Sequence, residues 1–155
     1  MSSAGLRALH TIFTMFRAAA PDAPRVLLYG HYDVQPPEPL DLWSVPPFEA
    51  AIGDRDAAGR PAPQGGVLIA RGSADNKGQH LALLAGVEAL LKGGSAGGGL
   101  PVNLAVVIEG EEEIGSPHLA ELLRQRAGQF AADIAVLADG ELDPTGQPTI
   151  VASAR

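Results

Sequence analysis

Short apolar runs separated by polar and glycine-rich segments dominate the hydrophobic pattern of this chain. Runs of this length, rich in Val, Leu and Ile, are typical of buried strands in parallel sheets. We therefore predict strands at 26–29, 67–70, 102–108 and 134–138, with a further strand beginning at 149–152. The proline- and glycine-rich stretch 36–66 is predicted to be a long ordered loop that contains one hairpin.

Helical spacing of apolar residues marks three further segments. The first 17 residues predict an amphipathic helix capped by Ser2 or Ser3, because apolar side chains recur at Leu6, Leu9, Phe13 and Phe16. Segment 77–92 is apolar on almost every side, which predicts a buried helix. Another helix is expected to start at Ser116-Pro117, with serine as its cap, and the glycine-rich segment 93–99 reads as a flexible connection.

Strands that alternate with helices indicate an α/β fold, and its sheet is expected to be mixed but largely parallel and flanked by helices. A length of 155 residues suits one domain with a real core. The net charge of −7, with scattered lysines and arginines, argues against nucleic acid binding. No apolar run has the length of a membrane span, no secretory signal is recognisable and no cysteine is present, so we expect a soluble, cytoplasmic protein.

Polar residues follow the carboxyl ends of four predicted strands. They are His31 and Asp33 after the first, Asp75 after the second, Glu112 and Glu113 after the third, and Asp139 after the fourth. Ligands of open parallel sheets bind beyond these strand ends, so the six side chains are expected to converge. Carboxylates gathered in a partly dry cleft repel one another unless cations lie between them. Imidazole and carboxylate ligands together suit zinc, with manganese as second choice.

Each of these residues also has an ordinary structural explanation. A histidine at a strand end commonly bonds to backbone, and aspartates beside glycine commonly cap helices or make turns. The consecutive glutamates could be a solvated charge run before a helix. Four such coincidences, each at the end of an apolar strand, are less probable together than one metal site.

The residues at these positions resemble the M20 metallopeptidases, and especially their dipeptidase branch. The matching stretches occur in the family's order and cover nearly the whole chain beyond its first segment: GHYDVQP (30–36), LWSVPPFE (42–49), ARGSADNKGQ (70–79), EGEEEIGSP (109–117) and LADG (137–140). The resemblance implies a zinc-dependent exopeptidase fold and hydrolysis of dipeptides or short peptides by a water shared between two zinc ions. Manganese is a possible substitute.

The resemblance also assigns the residues roles. His31 and Asp139 would bind one ion, Asp75 would bridge both ions, and Glu113 would bind the second. Glu112 would be the general base, and Asp33 would orient the ring of His31. The peptide bond after Asp75 would be cis.

Further parts of such enzymes are not recognisable in this sequence. The resemblance implies that residues 1–155 are a partial catalytic, metal-binding domain, without the inserted lid and dimerisation domain or the C-terminal segment that carries another metal-binding histidine. His10, His80 and His118 are predicted to be structural or surface residues. The chain alone is therefore expected to be weakly active or inactive, and the homodimer of the full-length family is left open for it. The alternatives are a non-enzymatic remnant or interaction module, and a di-zinc amidohydrolase acting on N-acyl amino acids.

Overall fold

The computed structural model describes residues 13–17, 21–55, 59, 61–62, 64–93, 99–143, 145–147 and 149, with only the backbone of 13–17. Six strands and three α-helices lie in these ranges. In chain order they are β1 (Phe13–Arg17), β2 (Arg25–His31), β3 (Ala51–Gly53), β4 (Val67–Ile69), α1 (Gly78–Gly93), β5 (Asn103–Glu109), α2 (Leu119–Gln125), α3 (Ala127–Phe130) and β6 (Ile134–Leu137). No helix in the described part of the chain is long and apolar enough to cross a membrane.

The main sheet has four strands in the order β1-β5-β2-β6. The central strands β5 and β2 are parallel, β6 is parallel to β2, and β1 is antiparallel to β5. The expected α/β fold with a mixed, largely parallel sheet is therefore confirmed. Register places His31 opposite Glu109 and Tyr29 opposite Leu137, so β2, β5 and β6 end at the same edge of the sheet.

The core lies between the central strands and α1. Its buried cluster is formed by Leu28, Leu100, Leu104 and Val106. Three residues at helical spacing on α1 pack against this cluster, namely Leu83, Val87 and Leu91. Burial of this one stripe is what holds α1 on the sheet and places its amino-terminal end beside the carboxyl end of β2.

The prediction that the helix at 77–92 is buried on almost every side is wrong. None of the residues of α1 is fully buried, and Leu81 and Leu90 are 69% and 56% exposed. A helix can press only one stripe of about 100° onto a sheet, and no described element covers the outward side of α1. Apolar composition was therefore a poor measure of burial here.

The prediction of a helix at the start of the chain is wrong for the part that the structure describes. Residues Phe13–Arg17 form β1, an edge strand paired with β5 in the register Phe13 to Ile108. Leu6, Leu9 and His10 lie outside the described residues, as do 150–152 of the strand predicted at 149–152 and 94–98 of the glycine-rich connection. Pairing along β5 outweighed the helical spacing of Phe13 and Phe16.

The helix predicted from Ser116 begins three residues later, at Leu119. Ser116 has a left-handed backbone conformation, with φ of 49°, and its hydroxyl donates to Glu109 rather than to a helix N–H. The expectation that Ser116 caps this helix is therefore wrong.

The proline-rich loop is ordered by contacts of its own. Strand β3 pairs with β4 in an antiparallel hairpin, as expected for this stretch. The indole N–H of Trp43 donates to the carbonyl of Pro37 over 2.7 Å, and the guanidinium of Arg71 stacks 5.1 Å from the indole centroid. Arg71 also donates to the carbonyl of Pro36 over 3.1 Å, which fixes the loop beside the carboxyl end of β2.

Candidate metal centre

His31, the last residue of β2, is at the centre of the site and is completely buried. Its Nδ1 lies 3.1 Å from the carbonyl oxygen of Asp33 and 3.3 Å from that residue's Oδ1. On the opposite side of the ring, Nε2 faces three carboxylates. These are Asp75 at 3.1 Å, Asp139 at 3.7 Å and Glu112 at 3.8 Å.

Asp33 connects the end of β2 to the turn that follows β5. Its carboxylate accepts the backbone N–H of Glu112 over 3.3 Å and that of Glu113 over 3.0 Å. The short 3-10 turn Glu112–Ile114 therefore presents both glutamates to the same edge of the sheet. Adjacent glutamates can then differ in position, because successive residues of such a turn project in different directions.

The carboxylate of Glu113 is held by Gln35. The backbone N–H of Gln35 donates to Glu113 Oε1 over 3.1 Å, and its side-chain amide donates to Oε2 over 2.6 Å. Both oxygens thus have a fixed direction before any ligand binds. Each retains a further lone pair that a cation could use.

Asp75 lies in an irregular turn, Ser73–Lys77, that leads into α1. The bond Asp75-Asn76 is cis, as the resemblance implied. Gly72 has φ of 82°, and a side chain there would meet Val34 and the ammonium of Lys77, so the position requires glycine. Lys77 in turn donates to the carbonyl of Tyr32 over 2.8 Å and ties the turn to the end of β2.

The charges of the cluster act on one another. Burial lowers the pKa of His31, but the carboxylate of Asp139, the carbonyl of Asp33 and the carboxylate of Glu112 outweigh it, so the pKa is raised above its usual value. Burial is the main cause that raises the pKa of Glu112, and Asp139 and Glu113 add to it against the opposing effect of His31. Cations placed among these carboxylates would relieve their repulsion.

Two groups of ligand atoms lie within 4.8 Å of one another and could each hold a metal ion. One is His31, Glu112 and Asp139, and the other is His31, Asp75 and Glu113. When Nδ1 of His31 carries the hydrogen and donates to Asp33, the lone pair of Nε2 points toward the carboxylates, which is the arrangement a metal needs. One imidazole with several carboxylates fits zinc or manganese.

The structure brings all six sequence-predicted residues together around His31. It also shows neighbours that the sequence did not single out. Gln35 lies in the first matching motif, and Asn76 is completely buried with no hydrogen-bond partner for its amide among the described residues. Glu109 is buried beneath the turn. The sequence displayed Glu109 only as one member of an acidic run, and the signal that separates it is its position as the last residue of a buried strand.

The two described histidines outside the cluster have other surroundings. His80 is half-buried on α1, where its ring lies edge-on to His31 at 6.4 Å between centroids. His118 is 62% exposed, and its Nδ1 lies 2.9 Å from the carboxylate of Glu111. Neither belongs to the two ligand groups among the described residues.

A parallel sheet whose strand ends gather one histidine and five carboxylates defines a class of metal-binding α/β domain. The sequence profile of Peptidase family M20/M25/M40 matches residues 27–151, and the chain belongs to this family. The match covers all six site residues. Their roles in this chain are taken up below as proposals.

Characterised relatives share this part of the chain. It is 33% identical over 132 residues to the Cys-Gly metallodipeptidase of Saccharomyces cerevisiae, covering 84% of this chain and 25% of that protein. It is 34% identical over 137 residues to the human Beta-Ala-His dipeptidase, covering 87% and 24%. The structure of an M20 family metallo-carboxypeptidase from Sulfolobus solfataricus superposes with a TM-score of 0.70 at 34% identity, covering 88% and 28%. The chain thus spans about a quarter of the length of these relatives.

Proposed function

We propose that this chain provides the metal-binding part of a metal-dependent dipeptidase. The observation that carries the proposal is the position of His31 Nε2, which faces the carboxylates of Asp75, Asp139 and Glu112 within 3.8 Å. Three negative groups around one buried imidazole are stable only with a proton or cations among them. Family membership favours cations.

The proposed ligands follow the resemblance. His31 and Asp139 hold one ion, Asp75 contacts both ions, and Glu113 holds the second. Two zinc ions, or manganese, would supply an activated water and polarise the peptide carbonyl when bound. The metal-free geometry places Glu112 nearer to His31 and Asp139 than to Glu113's group, so metal binding is expected to separate Glu112 from the ligands.

Glu112 is proposed as the general base. Its raised pKa brings it toward the range in which a carboxylate can both accept and return a proton. A carboxylate oxygen of Glu112 takes a proton from the attacking water and delivers it to the nitrogen of the departing amine. Asp33 meanwhile holds the ring of His31 through Nδ1, which fixes the direction of Nε2.

A dipeptide or another short peptide is the proposed substrate. The relatives named above act on Cys-Gly and Beta-Ala-His, as their names state. An aspartate at position 139 also resembles the aminopeptidase and dipeptidase members of the family. We further propose a cytoplasmic location, which a chain with no cysteine permits, and a homodimer for the whole protein as in the full-length family.

Hydrolysis assays on the full-length protein test this proposal. With added Zn²⁺ or Mn²⁺ we expect hydrolysis of Cys-Gly or β-Ala-His, and Glu112→Gln should lower kcat by about 10²–10⁴-fold while metal still binds. Glu121→Gln, on the exposed side of α2, is the matched control and should leave kcat unchanged. Faster cleavage of N-acetyl amino acids would favour the amidohydrolase instead. Metal binding without hydrolysis of either class would favour a non-enzymatic role.

A further inference from the structure

A buried carboxylate lies directly beneath the turn that carries Glu112 and Glu113. Glu109 is the last residue of β5 and is only 2% exposed. The hydroxyls of Tyr29 and Ser116 both donate to its Oε1, that of Ser116 over 2.7 Å. A carboxylate without water is costly unless its oxygens accept strong hydrogen bonds, so both hydroxyls have a reason to stay in place.

The three residues join three separate elements of the site. Tyr29 lies on β2 two residues before His31, and Glu109 is the partner of His31 in the register of the sheet. Ser116 closes the turn after Glu113, because its N–H donates to the carbonyl of Glu111 over 2.8 Å. One carboxylate oxygen therefore fixes the distance between the strand that ends in His31 and the turn that presents the two glutamates.

The local conformation of Ser116 supports this interpretation. Its φ of 49° is the only positive value among the described non-glycine residues. A serine tolerates this region poorly, and the position would suit glycine if only the turn mattered. The hydroxyl that reaches Glu109 is a reason for serine at this position. Burial and the adjacent carboxylate also raise the pKa of Tyr29, which keeps its hydroxyl a donor.

We propose that Tyr29, Glu109 and Ser116 form a positioning cluster that sets where Glu112 and Glu113 stand relative to His31. The turn is then held from two sides, by the carboxylate of Asp33 from β2 and by this cluster from β5. The proposal rests on the proposed function, since it concerns residues assigned there as base and metal ligand. None of the three residues of the cluster touches the metal or the substrate in this account.

Two variants remove one donor each and are designed to leave the backbone free. Tyr29→Phe deletes a hydroxyl, and Ser116→Gly deletes the other while relieving the restriction on φ. In the full-length protein we expect the amides of 110–116 to exchange hydrogen faster, with those of 103–107 unchanged. The dissociation constant for Zn²⁺ should rise about tenfold, at the lower end of the range for residues that support metal ligands.

Further variants separate positioning from general packing. Glu109→Gln keeps an acceptor oxygen and should stay closer to wild type in Zn²⁺ affinity than Glu109→Leu, which removes it. Tyr32→Phe, the same chemical change on an exposed tyrosine, should alter neither measurement. Unchanged exchange in 110–116, or equal acceleration across β5 and the turn, would overturn the proposal. If wild type binds no Zn²⁺ the proposed function fails, whereas the exchange comparison still decides whether the cluster holds the turn.

Discussion

Asp33 and Glu113, which are 80 residues apart in the chain, are joined by a hydrogen bond in which the backbone N–H of Glu113 donates to Oδ2 of Asp33 over 3.0 Å. The other oxygen of the same carboxylate lies 3.3 Å from Nδ1 of His31. Asp33 therefore orients the imidazole and anchors the glutamate turn at once. The motif spacing suggested the first of these contacts, but nothing in it suggested the second.

Replacing Asp33 by asparagine should weaken metal binding more than it weakens the fold. The amide keeps one acceptor oxygen but loses the charge that both His31 and the turn use. Residues that support metal ligands in this way typically change affinity by about 10–100-fold, and we expect a loss of this size for Zn²⁺ in calorimetric titration. Asp41→Asn, on an exposed loop, is the matched control. An Asp33→Asn protein with wild-type affinity would show that Asp33 has no orienting role.

Gly30 is predicted to tolerate no side chain, because the imidazole of His80 occupies the space beside its Cα. A Cβ at this position would overlap Nε2, Cδ2 and Cε1 of that ring. Gly30→Ala should therefore lower the free energy of unfolding by about 1–3 kcal/mol, the usual cost of overpacking. Urea denaturation of the metal-free protein measures this loss.

The double variant Gly30→Ala/His80→Ala provides the control for this prediction. Removing the ring frees the space that the new methyl group needs, so the double variant should be more stable than the sum of the single effects implies. Strictly additive costs would mean that the ring and the methyl group do not compete for one space.

The raised pKa of His31 predicts how Asp139 affects stability in metal-free solution. Because the pKa is raised in the folded state, the stabilising effect of the charged ring is fully present below its unfolded value of 6.5 and is lost as pH rises through the folded value. Asp139 is the largest of the charges that raise it. Above that range Asp139 only repels the neighbouring carboxylates.

The Asp139→Asn variant should consequently gain stability relative to wild type as the pH rises from about 6 to about 8.5. Thermal melts in the presence of a chelator measure the difference at each pH. In a His31→Gln background the difference should no longer depend on pH in this range. A pH-dependent difference that persists without His31 would assign the effect to another group.

The site was more predictable from sequence than the packing around it. Parallel strands deliver the residues after their carboxyl ends to one edge, so short apolar runs alone were enough to bring His31, Asp75 and Asp139 together. That rule needs no knowledge of side-chain contacts. The hydrogen bonds from Gln35 to Glu113 do need it, and the sequence gave no sign of them.

The errors arose where tertiary contacts decided between two local possibilities. Phe13 and Phe16 have helical spacing, yet their segment pairs with β5 because that strand offers a free edge. Ser116 has the usual features of a cap, yet its hydroxyl binds the buried Glu109, a partner seven residues earlier. The outward leucines of α1 look like core residues, but burial depends on which elements face the helix and not on its composition.

Thermal unfolding of the metal-free protein with added Zn²⁺ tests the shared metal centre most directly. Ligands that bind only the folded state stabilise it by about 2.7 kcal/mol at one hundred times their dissociation constant, which corresponds to a rise in Tm of roughly 5–10 °C for a chain of this size. We expect a rise of this order in wild type and little or none in Asp75→Ala. A wild-type Tm that does not respond to Zn²⁺ or Mn²⁺, or an equal rise in Asp75→Ala, would contradict a metal site built from His31 and its surrounding carboxylates.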